Sequence, residues 1–505
     1  MESYYISFDA GTQSVKVAVY NYEMQCVAKA ANNTSFKYPN PGWVEMDADE
    51  YFSLTKLGIK QCIEQMNLKG IDSRQIKAVS GDGIICGIVG IDKNGKAVTP
   101  YINYLDSRTQ EDAEKLNSMD YEIFERETGN ADVNCMFPAL KARWFLENNE
   151  QFKMKGKKFV HNAPYILMNL AGLESSEAFI DWGTMSGWGL GYKIYDKEWS
   201  DEQLDILKIS KSYMPKIVKP WTIIGTLSKE IAEEIGCPSG IPICAGAGDT
   251  MQSIIGSGVF VPHKCIDVAG TCSMFCIATE GIVPGLTKKG SGLIFNSGTI
   301  ENTYFYWGFV RTGGLALRWF KDNICKKDDI KSYYNVLSKN AEKVSPGSEG
   351  LVFLPYLTGS GRKKSDIKGC FINMTLDTDQ FTLWRSILES IAYEYKEIVD
   401  MCRKVYIPID EIIVTEGGSC DSLWNQIKSD IMNSKIITLK NQCGALMVNA
   451  IVAAYSIGNI TNIADVIDRK LKINNIYKPD IDNLLLYEKL FEKRKNIIDR
   501  VFDIK

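Results

Sequence analysis

Tyr4-Tyr5-Ile6-Ser7-Phe8-Asp9-Ala10-Gly11-Thr12-Gln13-Ser14-Val15-Lys16-Val17-Ala18-Val19-Tyr20 opens the chain with two β-rich runs around a turn of small polar residues. Tyr4–Phe8 and Val15–Tyr20 carry the aromatic and β-branched residues of strands, so the stretch reads as a hairpin. The turn gathers a carboxylate, a glycine, a hydroxyl and a lysine. Gly11 lets a ligand approach the backbone, and turn N–H groups can cradle an anion. Asp9 suits a hydrated Mg²⁺, which takes carboxylate, water and phosphate oxygens. The same residues suit an ordinary hairpin whose Asp and Gly serve only the turn. Taken alone, the stretch leaves both readings open.

A second stretch repeats the pattern far along the chain. Lys264-Cys265-Ile266-Asp267-Val268-Ala269-Gly270-Thr271-Cys272-Ser273-Met274-Phe275-Cys276 has strand-like runs on either side of Gly270-Thr271. A single ancestral duplication, rather than a short-period array, accounts for two such hairpins. Two α/β halves, each offering a Gly-Thr turn, could clamp the phosphates of a nucleotide from both sides.

Composition narrows the field. With 505 residues and 45% hydrophobic content the chain can bury a large core and divide into two or more domains. A net charge of −4 gives no general reason to expect a nucleic-acid partner. The apolar runs are too short and interrupted to span a bilayer, and residues 1–20 lack a secretory signal pattern. The expectation is a soluble cytoplasmic protein. Its 14 cysteines are scattered without a C-x-x-C pair, so reduced structural thiols are expected rather than disulfides or zinc. Only His161 and His263 are available as imidazoles, which leaves the chemistry to carboxylates.

Between and beyond the hairpins the chain alternates strands and helices. Residues 27–36 read as a strand, 48–67 as an amphipathic helix with Tyr51, Leu54, Leu57, Ile59 and Ile63 apolar, and 76–80 as a strand entering Gly81-Asp82-Gly83-Ile84-Ile85-Cys86-Gly87. Asp106-Ser107-Arg108 could bind a polyhydroxy ligand or be a surface ion pair, and alone the ion pair is favoured. The aromatic residues Phe137, Trp144, Phe145, Trp182, Trp188 and Trp199 read as core. A Ser-capped helix at 228–236 precedes the apolar strand ending in Gly246-Ala247-Gly248-Asp249. A carboxylate at a strand's carboxyl end sits where α/β proteins place catalytic groups, although Asp249 could instead cap the helix near Met251. Farther on come Gly313-Gly314 and an amphipathic run at 315–325. A helix over 379–403 and the strand 412–415 follow. That strand opens onto Glu416-Gly417-Gly418-Ser419, where paired glycines admit a charged or flat ligand. Helices at 422–433 and 444–456 follow, and the charged tail beyond 470 reads as an ancillary helix.

The order of these motifs carries a resemblance. Asp9-Ala10-Gly11-Thr12 with Lys16, Gly42-Trp43-Val44-Glu45, Asp106-Ser107-Arg108, Gly248-Asp249, Gly270-Thr271, Pro355-Tyr356-Leu357, Gly417-Gly418 through Trp424 and the small-residue helix after Gly444 follow one another as they do in the FGGY carbohydrate kinases. The chain resembles that family over nearly its whole length, and within it the xylulokinase-type members most. The resemblance implies an α/β protein of two actin/ribonuclease-H-like domains with a central nucleotide cleft. Residues 1–245 would bind sugar and carry the first phosphate loop; residues 246–505 would bind ATP, with the catalytic base at their start. ATP and Mg²⁺ are the implied cosubstrate and metal, and a homodimer is common among similar enzymes.

Residue by residue, Asp249 takes the place of the general base and Asp9 that of the Mg²⁺-associated carboxylate. Gly11, Thr12, Gln13 and Lys16 match the first phosphate loop, Gly270 and Thr271 the second. Gly313, Gly417, Gly418 and Ser419 fall with the nucleotide. Ile85, Cys86, Asp106 and Arg108 join Asp249 at the sugar. The chain also departs from the family. Ile85 and Cys86 stand where xylulokinases carry a Met-His pair, and the Arg-Glu pair of glycerol kinases is missing there too. Gly359-Ser360-Gly361-Arg362 and Asn373-Met374 replace the usual Gly-Glu-Arg and Gly-Leu. These departures bear on which sugar is used, with a ketopentose such as a xylulose leading and gluconate, another polyol or a deoxysugar as alternatives. A sugar- or nucleotide-binding protein of the same fold that has lost catalysis is the second function class, and the presence of both Asp9 and Asp249 argues for the kinase.

Overall fold

The opening stretch folds as a hairpin in this computed structural model: β1 (Tyr4–Ala10) and β2 (Ser14–Asn21) pair antiparallel, with Asp9 opposite Lys16. The structure describes residues 3–119, 121–270, 273–310, 312–328, 330, 332–357 and 368–502. By its internal contacts the chain divides into two units. The first holds Met1–Phe260, Ile294–Tyr304 and Cys443–Lys470; the second holds Val261–Leu293, Phe305–Gln442 and Leu471–Lys505. The 245/246 position falls between the strands Pro242–Cys244 and Ala247–Gly248, both within the first unit.

In the first unit β3 (Cys26–Asn33) pairs antiparallel with β2, and β1 pairs in parallel with the strand Ile76–Gly83. Pro242–Cys244 continues the parallel set, and Ile223–Thr226 closes it antiparallel. Helix α1 (Ala48–Leu68), N-capped by Asp47, covers β2 and β3. It buries Tyr51, Ile59, Ile63, Cys62 and Met66, whereas Leu57 points outward. Leu57 lies off the stripe set by Tyr51, Thr55, Ile59 and Cys62, which follow the helical i, i+4 spacing. The helix Ala445–Ser456, built of small and aliphatic residues, packs on β1 and Ile76–Gly83. Ile6, Phe8, Val17, Val19 and Val79, all essentially without exposure, form the sheet face that α1 covers together with the helix Asn162–Ala171.

The second unit repeats the plan. Cys265–Val268 and Ser273–Thr279 form an antiparallel pair, and Cys265–Val268 runs parallel to Glu411–Thr415. Lys435–Asn441 adds a parallel strand. The tail beyond 470 differs from expectation. It first supplies the strand Lys472–Tyr477, antiparallel to Lys435–Asn441, and only then the helix Ile481–Phe502. Alternation in Lys472-Ile473-Asn474-Asn475-Ile476-Tyr477 is too weak to announce a strand, and edge pairing with Ile436–Asn441 creates it. The long helix Gln380–Lys404, capped by Asp379, crosses this unit's core. There Lys428 and Asp267 form a fully buried ion pair at 2.5 Å, with Tyr395 on the second Asp267 oxygen. Every cysteine among the described residues is free, and no helix among them is long and apolar enough to cross a membrane.

Candidate active site

Three carboxylates meet at the carboxyl ends of adjacent parallel strands in the first unit, where open α/β sheets bind ligands. Asp9 ends β1 opposite Asp82 of Ile76–Gly83, and Ala247, two residues before Asp249, lies opposite Asp82 on its other side. Close packing of the strand ends relies on glycine: Gly246 has φ +70°, and a Cβ there would lie 1.8 Å from the Gly81 carbonyl. Asp9 Oδ2 accepts a hydrogen bond from Lys16 Nζ at 3.0 Å. Cross-strand pairing of β1 with β2 places these two groups together.

Asp249 is the first residue of the helix Asp249–Gly256, and Gly248 occupies the N-cap position. The carboxylate therefore does not cap the helix in the usual way. It accepts the Thr250 N–H at 2.6 Å and the Thr250 hydroxyl at 3.2 Å, and the Ile85 N–H also donates to it. Loss of hydration, then the charge of Asp9, pushes its pKa up to about 7. Asp249 keeps intermediate exposure, so the shift reflects a crowded surround that still has a path to solvent.

Asp82 is fully buried. Its Oδ2 accepts from Asn449 Nδ2 at 2.7 Å, while Oδ1 has no donor. The carboxyl lies within hydrogen-bond reach of Asp9, and a bond between them requires one of the two to keep its proton. Burial, followed by the charges of Asp9 and Asp249, holds the Asp82 pKa well above the usual carboxylate range.

The turn beside these acids is clamped from three sides. Gly11 N–H donates to Ser14 O at 3.2 Å, and Tyr51 OH of α1 donates to Gly11 O at 3.1 Å. Thr34 donates its hydroxyl to Thr12 O at 2.7 Å and its N–H to Gln13 O at 3.1 Å. The Thr12 hydroxyl lies 3.3 Å from Tyr104 OH, and Gln13 is exposed. Asn162 Nδ2 donates to Ala10 O at 2.8 Å.

Ile85 and Cys86 are buried beside Asp249. A Cβ on Gly248 would meet Ile85 Cγ2 at 2.1 Å, so the loop 84–87 lies directly on the strand end. An imidazole does serve this loop, from elsewhere in the chain: His161 Nε2 bonds Ile85 O at 3.0 Å. Burial lowers the His161 pKa to about 3, so the ring is neutral and Nε2 donates. Burial pushes the Cys86 thiol up to about 12.

Asp106 and Arg108 form a buried pair, not a surface one, with side-chain exposures of 0% and 1%. Arg108 grips Asp106 through Nε at 2.9 Å and Nη2 at 2.8 Å and bonds Glu45 through Nη2 at 2.9 Å. Its guanidinium lies over Trp43 at 4.0 Å and Trp144 at 4.6 Å. Asp106 also accepts the Val44 N–H at 2.8 Å. The Gly42–Glu45 and Asp106–Arg108 motifs are thus one structural knot. The fully buried Lys141 beside it donates to Asn103 O at 2.5 Å, and burial lowers its pKa to about 8 against the charge of Asp106.

In the second unit Gly270, Gly313 and Gly418 come together. Gly314 N–H donates to Gly270 O at 3.0 Å, and Gly418 N–H donates to Ala269 O at 3.1 Å. A Cβ on Gly313 would meet Ser273 Oγ at 1.9 Å. Gly417 faces open space, and Ser419 Oγ donates to Glu416 O at 2.7 Å. Thr271 and Gly359–Arg362 lie outside the described residues.

Asp82, Asn449, His161 and Lys141 were not singled out from the sequence. Asp82 carried the signal that marked Asp249, an acid between small residues after an apolar strand. Asn449 and Lys141 lie inside helices, and only the fold reveals what they touch.

Two hairpin-led sheets, with carboxylates at the strand ends of one, agree with the actin/ribonuclease-H-like architecture that the motif order implies. The same fold is found in the ligand-bound xylulose kinase of Lactobacillus acidophilus, at TM-score 0.87 and 22% identity over 99% of this chain and 98% of that one. The chain belongs to the FGGY family of carbohydrate kinases: the family's N-terminal domain matches residues 4–256 and its C-terminal domain residues 267–457. It is 25% identical to a xylulose kinase of Staphylococcus epidermidis, over 96% of this chain and 94% of that protein. It is 26% identical to a gluconokinase of Bacillus subtilis, over 93% and 90% respectively. The protein is a carbohydrate kinase that uses ATP.

Proposed function

We propose that this kinase transfers the γ-phosphoryl group of ATP to a hydroxyl of a ketopentose such as xylulose. The observation that carries the mechanism is Asp249, a carboxylate with a raised pKa at a parallel strand end beside Asp9. The sugar hydroxyl attacks the γ-phosphorus, the bond to the ADP oxygen breaks, and the hydroxyl proton passes to Asp249. A base tuned near neutrality both accepts that proton and is ionised in the cell's pH range. The bonds from Thr250 and Ile85 orient the carboxylate. Ile85 and Cys86 wall the acceptor side, and the Arg108 knot holds the loops around it rigid.

Lys16 and the backbone of Gly11, Thr12 and Gln13 receive phosphate oxygens, as do Gly270 and Thr271. Gly313, Gly417, Gly418 and Ser419 border the nucleotide. The division into a sugar-binding part at 1–245 and an ATP-binding part at 246–505 belongs to the same reading. The carboxylate oxygens at Asp9 fit Mg²⁺, which when bound neutralises charge on the transferring phosphoryl group.

The xylulose kinase relatives support a ketopentose. Gluconate is the second reading, supported by the gluconokinase relative at comparable identity. ATP consumption with Mg²⁺ against a panel of ketoses, aldoses, polyols and sugar acids decides between them. Xylulose is expected to stimulate turnover most and to yield the matching sugar phosphate. Stimulation by gluconate alone would reverse the order. No stimulation by any sugar, with ATP still bound, would point to a binding protein.

A further inference from the structure

The sugar kinase reading assigns one carboxylate, Asp9, to the divalent cation. Asp82 beside it is the one buried acid of the group that the transfer does not use. Its Oδ2 is firmly held: Asn449 Nδ2 donates to it at 2.7 Å and to Phe8 O at 3.0 Å. Asn449 is itself oriented, because its Oδ1 accepts from Gln252 Nε2 at 2.6 Å and Gln252 Oε1 accepts from Thr299 at 3.0 Å. Every member of this buried chain has its partners until Asp82 Oδ1, which has none. A buried carboxylate oxygen without a donor carries the full cost of its lost hydration. That cost is offset when a proton shared with Asp9, or a cation in its place, lies beside Oδ1. Oδ1 belongs to a carboxyl in hydrogen-bond reach of Asp9, at the open end of the parallel strands.

We propose that Asp82 is a second carboxylate of the divalent-cation site, its oriented side chain joining Asp9 in holding the ion that accompanies the nucleotide phosphates. The proposal rests on the reading of Asp9 as the cation-associated carboxylate. Magnesium is commonly held by one or two carboxylates, waters and substrate phosphates rather than by an all-protein cage. Among the described residues no group of three or more His, Cys, Asp or Glu could hold a metal ion, so the ion would draw its remaining ligands from water and the nucleotide phosphates. The Thr299–Gln252–Asn449 chain plays the supporting part that outer partners play in metal sites, locking a ligand before the ion arrives.

Asp82→Asn is the direct test. An Asn amide can accept from Asn449 and donate to Asp9, so the variant is expected to fold and to melt no lower than the native protein. Mn²⁺ is the probe, with free ion followed by electron paramagnetic resonance in the presence of ADP. We expect affinity for Mn²⁺ to fall by about tenfold or more. Unchanged affinity in a folded Asp82→Asn protein would overturn the proposal. Asp9→Asn serves as the control. Loss of Mn²⁺ affinity there, but not in Asp82→Asn, leaves the Asp9 reading standing and sinks the role of Asp82. If neither variant loses affinity, the Asp9 reading itself fails. A crystal structure of the native protein with Mn²⁺ and ADP requires no variant to fold. An anomalous peak about 2.1 Å from an Asp82 oxygen is expected, and one coordinated by Asp9 with Asp82 beyond about 4 Å would refute the assignment.

Discussion

At the scale of single residues the proposed chemistry turns on Asp249. Its removal should matter to turnover and little to folding. Asp249→Asn is expected to lower kcat by about 10²–10⁴-fold with ADP affinity retained by calorimetry. Because loss of hydration and the Asp9 charge raise its pKa to about 7, the native enzyme should lose kcat as pH falls through that value. The pH profile of kcat checks this, and a profile flat down to pH 5 would remove Asp249 from the role of base. The stability consequence has the opposite sign from that of a salt-bridged acid. The folded pKa lies above the ordinary value of about 3.9, so the folded state binds the extra proton and stability falls as pH rises from about 4 through about 7. Asp249→Asn, which carries no charge to desolvate, should therefore melt higher than the native protein at pH 8 and no higher at pH 4.

At the scale of elements, two loops are held by contacts the chain order hides. The Arg108 knot joins Gly42–Glu45 to Asp106–Arg108 through paired hydrogen bonds and two indole faces. Lysine lacks the planar fork and the stack. Arg108→Lys is expected to cost about 3 kcal/mol in urea unfolding, the scale of a broken buried pair. In the second unit a Cβ on Gly418 would lie 2.4 Å from Ala269 Cβ and 2.8 Å from the Trp424 ring. Gly418→Ala should push the Gly270 turn aside and weaken ADP binding by calorimetry, with about 1–3 kcal/mol lost to overpacking. Strand and helix types in these regions were legible because periodicity records which face is buried. The knot was not legible, since an Asp-x-Arg spelling is the same whether the pair is exposed or enclosed. The tail strand Lys472–Tyr477 was missed for a related reason, because its pairing with Lys435–Asn441 comes from the sheet.

At the scale of the molecule, the first unit is not one run of chain. Ala445–Ser456 returns to it after the chain has built most of the second unit, and brings Asn449 to Phe8 and Asp82. A fragment of residues 1–260 lacks that helix and exposes the sheet face of β1 and Ile76–Gly83 on which it packs. It is expected to aggregate, or to bind hydrophobic dye without a cooperative melt. A sharp melting transition for the fragment would show that Ala445–Ser456 is dispensable.

By itself the sequence determined the two hairpins and the alternation of strands and helices, and it pointed to Asp9 and Asp249, since each is written in local pattern and turn chemistry. Family membership was legible in the order of those motifs. Tertiary structure alone decided that Asp82 completes the acidic cluster, that His161 supports the Ile85 loop and that Arg108 is enclosed by two tryptophans. These facts depend on strands adjacent in space and distant in sequence. Burial, hydrogen bonding and charge proximity become definite only when such strands pair.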